Sequence, residues 1–292
     1  MTSRNLTNFK SVETFLKGEL KLELDDSYSK LVPKIASTEL SLQSFDTNNI
    51  TLKSDLYRSP TYRNDDARKE LRITIIDELI NGIRLDDDDH ITLGKGGALP
   101  RVTTKPESKK SDYFINRENK AFLIIGLPAS GKSTVSNKIA DNEGAIILDS
   151  DYAKRKLPEF NSLSFGATLV HEEASDIIFG SEKNSQKDSL FDYCVQQGMN
   201  LVIPKIGSKL SSIKDLVKTL NNLNYEVHLK LVKADKEKAC ERALARFIKS
   251  KRYIPLSLIY DDYNNLPTSN YKSLESSQES AIKTFEIFDH NN

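Results

Sequence analysis

The feature that most constrains this chain is a glycine-rich loop that lies between an apolar run and a helical pattern. Residues 121–125 are apolar and rich in Ile and Leu, which is typical of a buried strand in a parallel sheet. They lead directly into the segment from Gly126 to Ser133, which reads G-L-P-A-S-G-K-S and fits the phosphate-loop pattern. Residues 134–140 then show helical spacing. The order of strand, loop and helix predicts a nucleotide-binding α/β fold.

The loop also predicts which groups hold a nucleotide. Its two fixed glycines leave room for backbone amides to wrap a phosphate, and the helix N-terminus adds partial positive charge. Lys132 is expected to reach the β- and γ-phosphates of ATP, and the Ser133 hydroxyl to join the shell of a Mg²⁺ cofactor. The expected nucleotide-binding residues of the loop are Gly126, Ser130, Gly131, Lys132, Ser133 and Thr134.

Bulk composition narrows the class of protein. The 292 residues suffice for two domains, or for one domain with a sizeable extension. Lys+Arg and Asp+Glu both number 42, so net charge offers no reason to expect nucleic acid or a membrane as partner. No apolar run approaches the roughly 18–20 residues of a membrane span, and the first residues do not resemble a signal peptide. Cys194 and Cys240 lack a C-x-x-C context, which indicates reduced core thiols and a cytoplasmic setting.

The first 110 residues predict a mainly helical extension with a linker. Apolar spacing favours helices over residues 1–24 and 66–83, and residues 25–65 are interpreted as short helices and loops. Four aspartates followed by His90 are interpreted as a solvated acidic loop in preference to a metal site, and the glycines of 94–97 as a connector in preference to an anion-binding loop. Residues 101–118 are polar, as in a linker.

From residue 119 the pattern alternates between strand and helix, which predicts a parallel sheet flanked by helices. The predicted strands are 121–125, 145–149, 200–204 and 225–232, and the predicted helices are 132–141, 187–197, 211–223 and 235–249, with a helix-rich stretch up to 180. We therefore expect a phosphate-loop domain over residues 119–265. Residues 266–292 are expected to form a polar tail or one helix near 279–288.

Candidate catalytic residues follow the second predicted strand. Ligands of open parallel sheets lie beyond the carboxyl ends of the strands, which places Asp149 and Asp151 beside the phosphate loop. One of the two aspartates is expected to assist Mg²⁺ and the other to accept the proton of an attacking hydroxyl. Asp149 either assists at the substrate and metal or caps the next helix. Lys154 begins a group of three cations that either holds phosphates or forms an exposed helix end.

Two later segments carry further candidates. Glu172 and Glu173 either bind a sugar hydroxyl or form a solvated acidic face, and the neighbouring histidine is interpreted as structural. Arg242 and Arg246 share a helical face, and Arg252 follows that helix. Cations in such a position offset the charge that develops on a migrating phosphoryl group.

Four segments in order carry a family resemblance: G-L-P-A-S-G-K-S from Gly126, D-S-D-Y-A-K from Asp149 with L-P-E-F after it, V-H-E-E-A-S from Val170, and A-L-A-R from Ala243 with R-Y-I-P after it. Together they resemble the zeta toxin family over about residues 119–260. The chain departs from many relatives after the third strand, where it reads I-P-K-I-G, and the long N-terminal region is absent from compact toxins.

The resemblance implies an ATP-dependent small-molecule kinase. The best-known members phosphorylate a hydroxyl of UDP-N-acetylglucosamine and so poison cell-wall synthesis, and effectors of plant pathogens with the same core phosphorylate NAD. By position, Lys132 and Ser133 match the ATP and Mg²⁺ residues and Asp151 matches the catalytic base. Glu173, with Glu172, matches the acid on the substrate side, and Arg246 and Arg252 match the arginines that hold the ATP phosphates.

We therefore predict a toxin or effector kinase whose acceptor is a nucleotide-type metabolite. The expected partners are ATP, the small acceptor and an antitoxin or chaperone protein, without nucleic acid or membrane. The expected location is the cytoplasm, or a host cell reached without a cleavable signal peptide. Two alternatives stay open: a polynucleotide 5′-hydroxyl kinase, which would need a basic, aromatic-lined channel, and a non-catalytic module that binds nucleotide to anchor partners.

Overall fold

The core of the protein is a parallel β-sheet. The computed structural model describes residues 4–23, 26–81, 115–161, 165–180, 189–250 and 253–289. Within these ranges the strands are β1 (Lys120–Ile125), β2 (Ile146–Ile147), β3 (Leu201–Lys205), β4 (Glu226–Lys233) and β5 (Thr284–Asp289). They form one five-stranded sheet in the order β2-β3-β1-β4-β5, and each neighbouring pair is parallel.

Helices connect and flank these strands. They are α1 (Phe9–Gly18), α2 (Asp26–Ser44), α3 (Asp65–Asn81), α4 (Lys132–Glu143), α5 (Ser150–Lys156), α6 (Gly166–Leu169), α7 (His171–Phe179), α8 (Leu190–Gln196), α9 (Leu210–Asn222), α10 (Lys236–Ser250) and α11 (Leu266–Ser276). Short 3₁₀ turns occur at Thr47–Asn49, Pro60–Tyr62 and Pro158–Asn161, and a π-helical segment at Leu258–Tyr263. None of the described helices is long and apolar enough to cross a membrane.

The position of β1 decides where the site lies. It is paired on both sides, by β3 and β4, and its residues 121–125 are all buried, which is why the run is continuously apolar. All carboxyl ends of the strands share one edge because the sheet is parallel. The loop after β1 therefore opens at the middle of that edge, where the chain changes direction across the sheet.

The described part of the N-terminal region packs directly on this α/β unit. Leu71, Ile75 and Leu79 of α3 belong to the same hydrophobic core as one face of the sheet. Helices α1 and α2 form a second core with α10 and with Leu127 of the glycine loop. The region is mainly helical, as predicted, and it shares its cores with the predicted kinase domain.

Most of the predicted elements are confirmed. The strands predicted at 121–125, 145–149, 200–204 and 225–232 and the helices at 132–141, 187–197, 211–223 and 235–249 are present with shifted ends. The helix predicted at 66–83 is α3, and α1 lies within 1–24. The acidic run at 86–90 and the glycines at 94–97 lie outside the described residues.

Two predictions about local structure are wrong. Residues 25–65 contain the 19-residue helix α2 in place of short helices and loops. Pro33 lies inside α2, and buried residues on either side of it, such as Leu31 and Ile35, hold the helix through tertiary packing.

The predicted tail or helix near 279–288 is the edge strand β5, which pairs with β4 along its whole length. Helical and strand patterns are hard to separate in so short a run, and the pairing with β4 decides between them.

Candidate active site

The glycine loop has the backbone shape of a phosphate-binding loop. Gly131 has φ = 96° and precedes α4 in the left-handed region, which glycine adopts without strain. A Cβ on Gly126 would lie 2.6 Å from the carbonyl oxygen of Val232 and 2.9 Å from Ser130 Oγ. Glycine is thus required at both ends of the loop, as the pattern predicted.

Lys132 is folded onto the loop that it follows. Its Nζ donates to the carbonyl oxygens of Gly126, at 2.8 Å, and of Leu127, at 2.6 Å. Burial lowers the pKa of Lys132 to about 8, against the opposing charges of Asp149 and Asp151. A phosphate in the loop would offer this ammonium a charged acceptor in place of two neutral ones, and charged acceptors form the stronger hydrogen bonds.

Ser130 supports the interpretation of the loop as an anion site. Its side chain is completely buried, and its Oγ has no hydrogen-bond partner among the described residues. Buried hydroxyls are normally paired, so an unpaired one inside a glycine loop marks a place where a ligand atom completes the structure. The residues present therefore fit a bound nucleotide phosphate.

The two aspartates after β2 divide the roles that the sequence left open. Asp149 Oδ1 accepts from the backbone N–H of Asp151 at 2.9 Å. Asp149 therefore caps α5, which is one of the two roles that the sequence left open for it. The side chain of Asp151 is 30% exposed, and its Oδ1 accepts from Lys154 Nζ at 3.0 Å. Asp151 is thus a partly exposed carboxylate that Lys154 orients at the sheet edge where the phosphate loop opens, and we call the space at this edge the cleft.

The three cations of α5 separate in the structure. Lys154 is the one that bonds to Asp151. Arg155 lies over the Tyr152 ring, at 5.6 Å from its centroid, and Lys156 pairs with Glu78 of α3 at 2.6 Å. The three cations therefore neither bind one phosphate together nor all lie exposed at the helix end. Lys154 is the one that lies next to Asp151.

The acidic pair at the start of α7 also separates. Glu172 is exposed and lies 3.3 Å from Lys53 Nζ. Glu173 is completely buried, and its carboxylate bonds to Arg68 and Arg72 of α3 at 2.7–2.8 Å. The structure thus places Glu173 in the interior and leaves Glu172 as the exposed acid of the pair, so the predicted substrate contact of Glu173 has no geometric support here.

A buried ion cluster accounts for the position of Glu173. Arg68, which is 1% exposed, also bonds to both oxygens of Glu159 at 2.8 and 3.0 Å. Burial alone would raise the pKa of Glu173, but the hydrogen bonds and charge of Arg68, with the charge of Arg72, outweigh it and lower that pKa to about 2. Glu173 therefore carries its charge near neutral pH. Nothing in the local pattern of α3 signals this arginine in advance.

The arginines of α10 lie beside the loop. Arg242 Nη1 approaches the carbonyl oxygen of Ser130 at 3.4 Å, and the charge of Arg246 is close enough to Lys132 to lower its pKa. Arg252 lies outside the described residues. Arg242 and Arg246 therefore lie near the loop, although Arg242 is more than a hundred residues from Ser130 along the chain.

Lys205 is a cleft residue that the motif analysis missed. It ends β3, and its Nζ lies 3.5 Å from the centroid of the Phe179 ring. Burial lowers the pKa of Lys205 to about 8, against the charge of Asp149. The available signal was the departure from the family pattern after the third strand.

His171 also lies close to Lys205, and burial, with the charge of Lys154, lowers the pKa of His171, in keeping with a neutral structural histidine.

Comparisons with known proteins agree with this geometry. The family model described as Zeta toxin matches residues 105–292. A chain from the PezAT chromosomal toxin-antitoxin system of Streptococcus pneumoniae has a similar fold, with a TM-score of 0.53 and 16% identity over 78% of this chain and 79% of that chain. A chain of the AvrRxo1-ORF1:AvrRxo1-ORF2 complex with sulphate ions has a TM-score of 0.51 and 16% identity over 76% of this chain and 63% of that chain. A search of curated proteins found no match.

Proposed function

The chain belongs to the zeta toxin family, and on that premise we propose that it transfers the γ-phosphate of ATP to a hydroxyl of a nucleotide-type metabolite, UDP-N-acetylglucosamine or NAD. It is a kinase of the phosphate-loop class. The observation that carries the proposal is the placement of Asp151 in the cleft, bonded to Lys154 and close enough to Lys132 to affect its pKa. A protein that only bound nucleotide would need the loop but no carboxylate so placed.

The residues divide the work of an in-line transfer. Asp151 accepts the proton of the acceptor hydroxyl while that oxygen bonds to the γ-phosphorus, and ADP departs with the bridging oxygen. A positioned base contributes about 10²–10⁴-fold to such a step. Lys154 orients Asp151 through its hydrogen bond to Oδ1. Lys132, Arg242 and Arg246 offset charge on the phosphates, and we assign Arg252 to the same task because of its position after α10.

Mg²⁺ is the expected companion of ATP, and the donor set suits it. The described residues contain no group of three or more His, Cys, Asp or Glu that would form an all-protein metal cage. Mg²⁺ is commonly held by nucleotide phosphates, water and a few protein oxygens, of which the Ser133 hydroxyl is the one assigned here. Bound there, the ion would neutralise phosphate charge.

The biological role belongs to the same proposal. The two solved relatives come from a toxin-antitoxin system and from a two-protein complex. We therefore propose that this kinase acts as a toxin or effector and that an antitoxin or chaperone protein binds it.

The test is transfer of labelled γ-phosphate from ATP with Mg²⁺. UDP-N-acetylglucosamine, NAD and a short oligonucleotide would be offered to the parent protein, to Lys132→Ala and to Asp151→Asn. Asp215→Asn, an exposed aspartate on α9, is the matched control. Label on one of the two metabolites, lost in the first two variants and kept in the control, supports the proposal.

Other outcomes would replace the proposal with a specific alternative. Label on the oligonucleotide alone would favour a polynucleotide kinase. Binding of ATP without transfer to any acceptor would favour the binding module. Full activity of Asp151→Asn would remove Asp151 from its assigned role.

A further inference from the structure

One charged residue in the cleft has no task in the reaction described above. Lys205 is the last residue of β3, and it lies opposite Ile125, the last residue of β1, in the sheet register. Its side chain therefore starts at the same sheet edge as the phosphate loop. Residues at this edge are placed to contact ligands.

The surroundings of this ammonium differ from those of the other cleft lysines. Lys132 donates to two loop carbonyls, and Lys154 donates to Asp151. Lys205 Nζ instead lies over the Phe179 ring, 3.5 Å from its centroid. Among the described residues, no carboxylate oxygen lies within 4.0 Å of this Nζ. An aromatic face stabilises a cation only in part, and a half-buried ammonium without an anion is costly. An anionic ligand would remove that cost.

The backbone under Lys205 is held in place. The N–H of Gly126 donates to the carbonyl oxygen of Ile206 at 3.2 Å, and Asn270 Nδ2 donates to the carbonyl oxygen of Gly207 at 2.8 Å. Gly207 has φ = 76°, and a Cβ there would lie 2.7 Å from Ile125 Cβ. The segment after β3 is thus tied to the phosphate loop and to α11, which gives the ammonium a defined position.

Its charged neighbours place Lys205 on the acceptor side of the cleft. The charges that act on Lys132 are those of Asp149, Asp151 and Arg246. The charges that act on His171 include Lys154, Asp151 and Lys205. Asp149 acts on both Lys132 and Lys205, and Asp151 acts on both Lys132 and His171. The two aspartates thus lie between Lys132 and Lys205, and Lys205 is grouped with His171 and Lys154 on the other side.

We propose that Lys205 binds a phosphate group of the acceptor, with Lys154 beside it, so that the acceptor is a phosphorylated metabolite and not a neutral sugar or alcohol. The assignment of an acceptor side rests on the proposed kinase reaction. An ammonium acts as a point charge and suits phosphate oxygens. Lys205 is therefore a specificity-determining residue, and phosphate-free versions of the acceptor would be poor substrates.

The experiment measures phosphate binding at the acceptor side without requiring transfer. The full-length protein is saturated with Mg²⁺ and a non-hydrolysable ATP analogue, so that the loop is filled, and inorganic pyrophosphate is then titrated calorimetrically. The variants are Lys205→Gln, Lys205→Arg and the matched control Lys209→Gln, an exposed lysine just beyond the same segment. Lys205→Met replaces the Gln variant if the latter does not fold.

The expected result is a dissociation constant for pyrophosphate about tenfold or more higher in Lys205→Gln, near the parent value in Lys205→Arg and unchanged in Lys209→Gln. Affinity for the ATP analogue should be the same in all four proteins. The proposal is overturned if the loaded parent does not bind pyrophosphate, if Lys205→Gln binds it as tightly as the parent, or if Lys205→Gln loses the ATP analogue.

Kinetics separate this proposal from the function on which it rests. If the parent transfers phosphate, Lys205→Gln should raise KM for the acceptor and leave KM for ATP unchanged, and removal of the phosphate from the acceptor should abolish the difference between parent and variant. If the parent transfers to no acceptor but the pyrophosphate result holds, the kinase assignment fails while the anion site stands.

Discussion

Two groups of charged residues lie close together in this fold, and they are built in opposite ways. The cleft group faces the ligand space and consists of Lys132, Asp151, Lys154 and Lys205. The buried group lies between α3, the 3₁₀ turn at Pro158–Asn161 and α7, and consists of Arg68, Arg72, Glu159 and Glu173.

The difference lies in how completely each charge is paired. In the buried group, Glu173 and Glu159 accept with both of their oxygens from Arg68, and Glu159 also accepts from the backbone N–H of Ser59 at 2.7 Å. In the cleft group, among the residues that the structure describes, Lys132 donates to carbonyl oxygens and Lys205 contacts an aromatic ring. A fully satisfied network rigidifies a core, whereas incompletely paired cations keep the capacity to bind an anion.

The comparison also changes the meaning of a family motif. Glu173 occupies the position of the substrate-side acid by resemblance, yet in this chain it joins α3 to α7 through Arg68. The N-terminal region therefore supplies part of the support for the catalytic unit. The first two predictions test whether the cleft group controls turnover and the buried group controls stability.

The largest effect is expected at the base. Asp151→Asn should lower the rate of phosphate transfer by about 10²–10⁴-fold, because the amide cannot accept the hydroxyl proton. The thermal midpoint should change little, because Asp151 is partly exposed. Steady-state transfer and thermal melting of the same samples check both statements. A clearly lower thermal midpoint in Asp151→Asn would show that Asp151 supports the fold.

Removal of the buried cation should act in the opposite way. Arg68→Ala should lower the free energy of unfolding by about 3–5 kcal/mol, because it leaves two buried carboxylates without their partner. Urea denaturation measures the change. Lys69→Ala, at an exposed neighbour on α3, is the control and should change stability little. Equal losses in the two variants would contradict the distinction between the groups.

Lys132 of the cleft group should titrate near pH 8. With a pKa of about 8, Lys132 loses its charge above that pH in the free enzyme. The value of kcat/KM for ATP should therefore fall up to about tenfold per pH unit above pH 8. The fall in kcat should begin at higher pH, because bound phosphates favour the charged ammonium. Identical profiles for the two quantities would show that another group controls the alkaline limb.

Glu173 of the buried group should titrate only in acid. The pKa of Glu173 is lowered from 4.5 to about 2, so its contribution to stability is complete above pH 4.5 and is lost as the pH falls toward 2. Urea denaturation between pH 7 and pH 2.5 should show this loss. Glu173→Gln should be less stable at pH 7 and should depend less on pH in the acid range. A parallel pH dependence in both proteins would assign the acid loss to other carboxylates.

The smallest effect is expected at an exposed ion pair. Lys17 and Glu13 lie four residues apart on α1 at 2.6 Å, and both are about half exposed. Lys17→Ala should change the free energy of unfolding by about 0.5 kcal/mol or less, because water screens the pair. Thermal melting at low and high salt would detect the change. A loss as large as that of Arg68→Ala would show that burial is not what separates the two cases.

Much of the phosphate loop and its surroundings was predictable from local patterns. The run at 121–125, the two fixed glycines and Lys132 lie next to one another in the sequence, and each has the conformation that the pattern requires. Asp151 was predictable for the same reason, because it directly follows a short apolar strand. The surroundings of Lys205 were less predictable, because Lys205 belongs to no motif and Phe179, which it contacts, lies on α7.

The phosphate loop, the parallel α/β class and the position of Asp151 after β2 could be inferred from the sequence, since each has a local signature: a glycine loop between strand and helix, alternation of strands and helices, and aspartates after an apolar run. The tertiary structure alone decided that Glu173 turns inward, that Lys205 lies against Phe179 and that the last residues form the edge strand β5. Arg68 and Glu173 are 105 residues apart, and β5 pairs with a strand more than 50 residues before it. Such contacts depend on which surfaces the folded chain brings together, and no local periodicity contains that information.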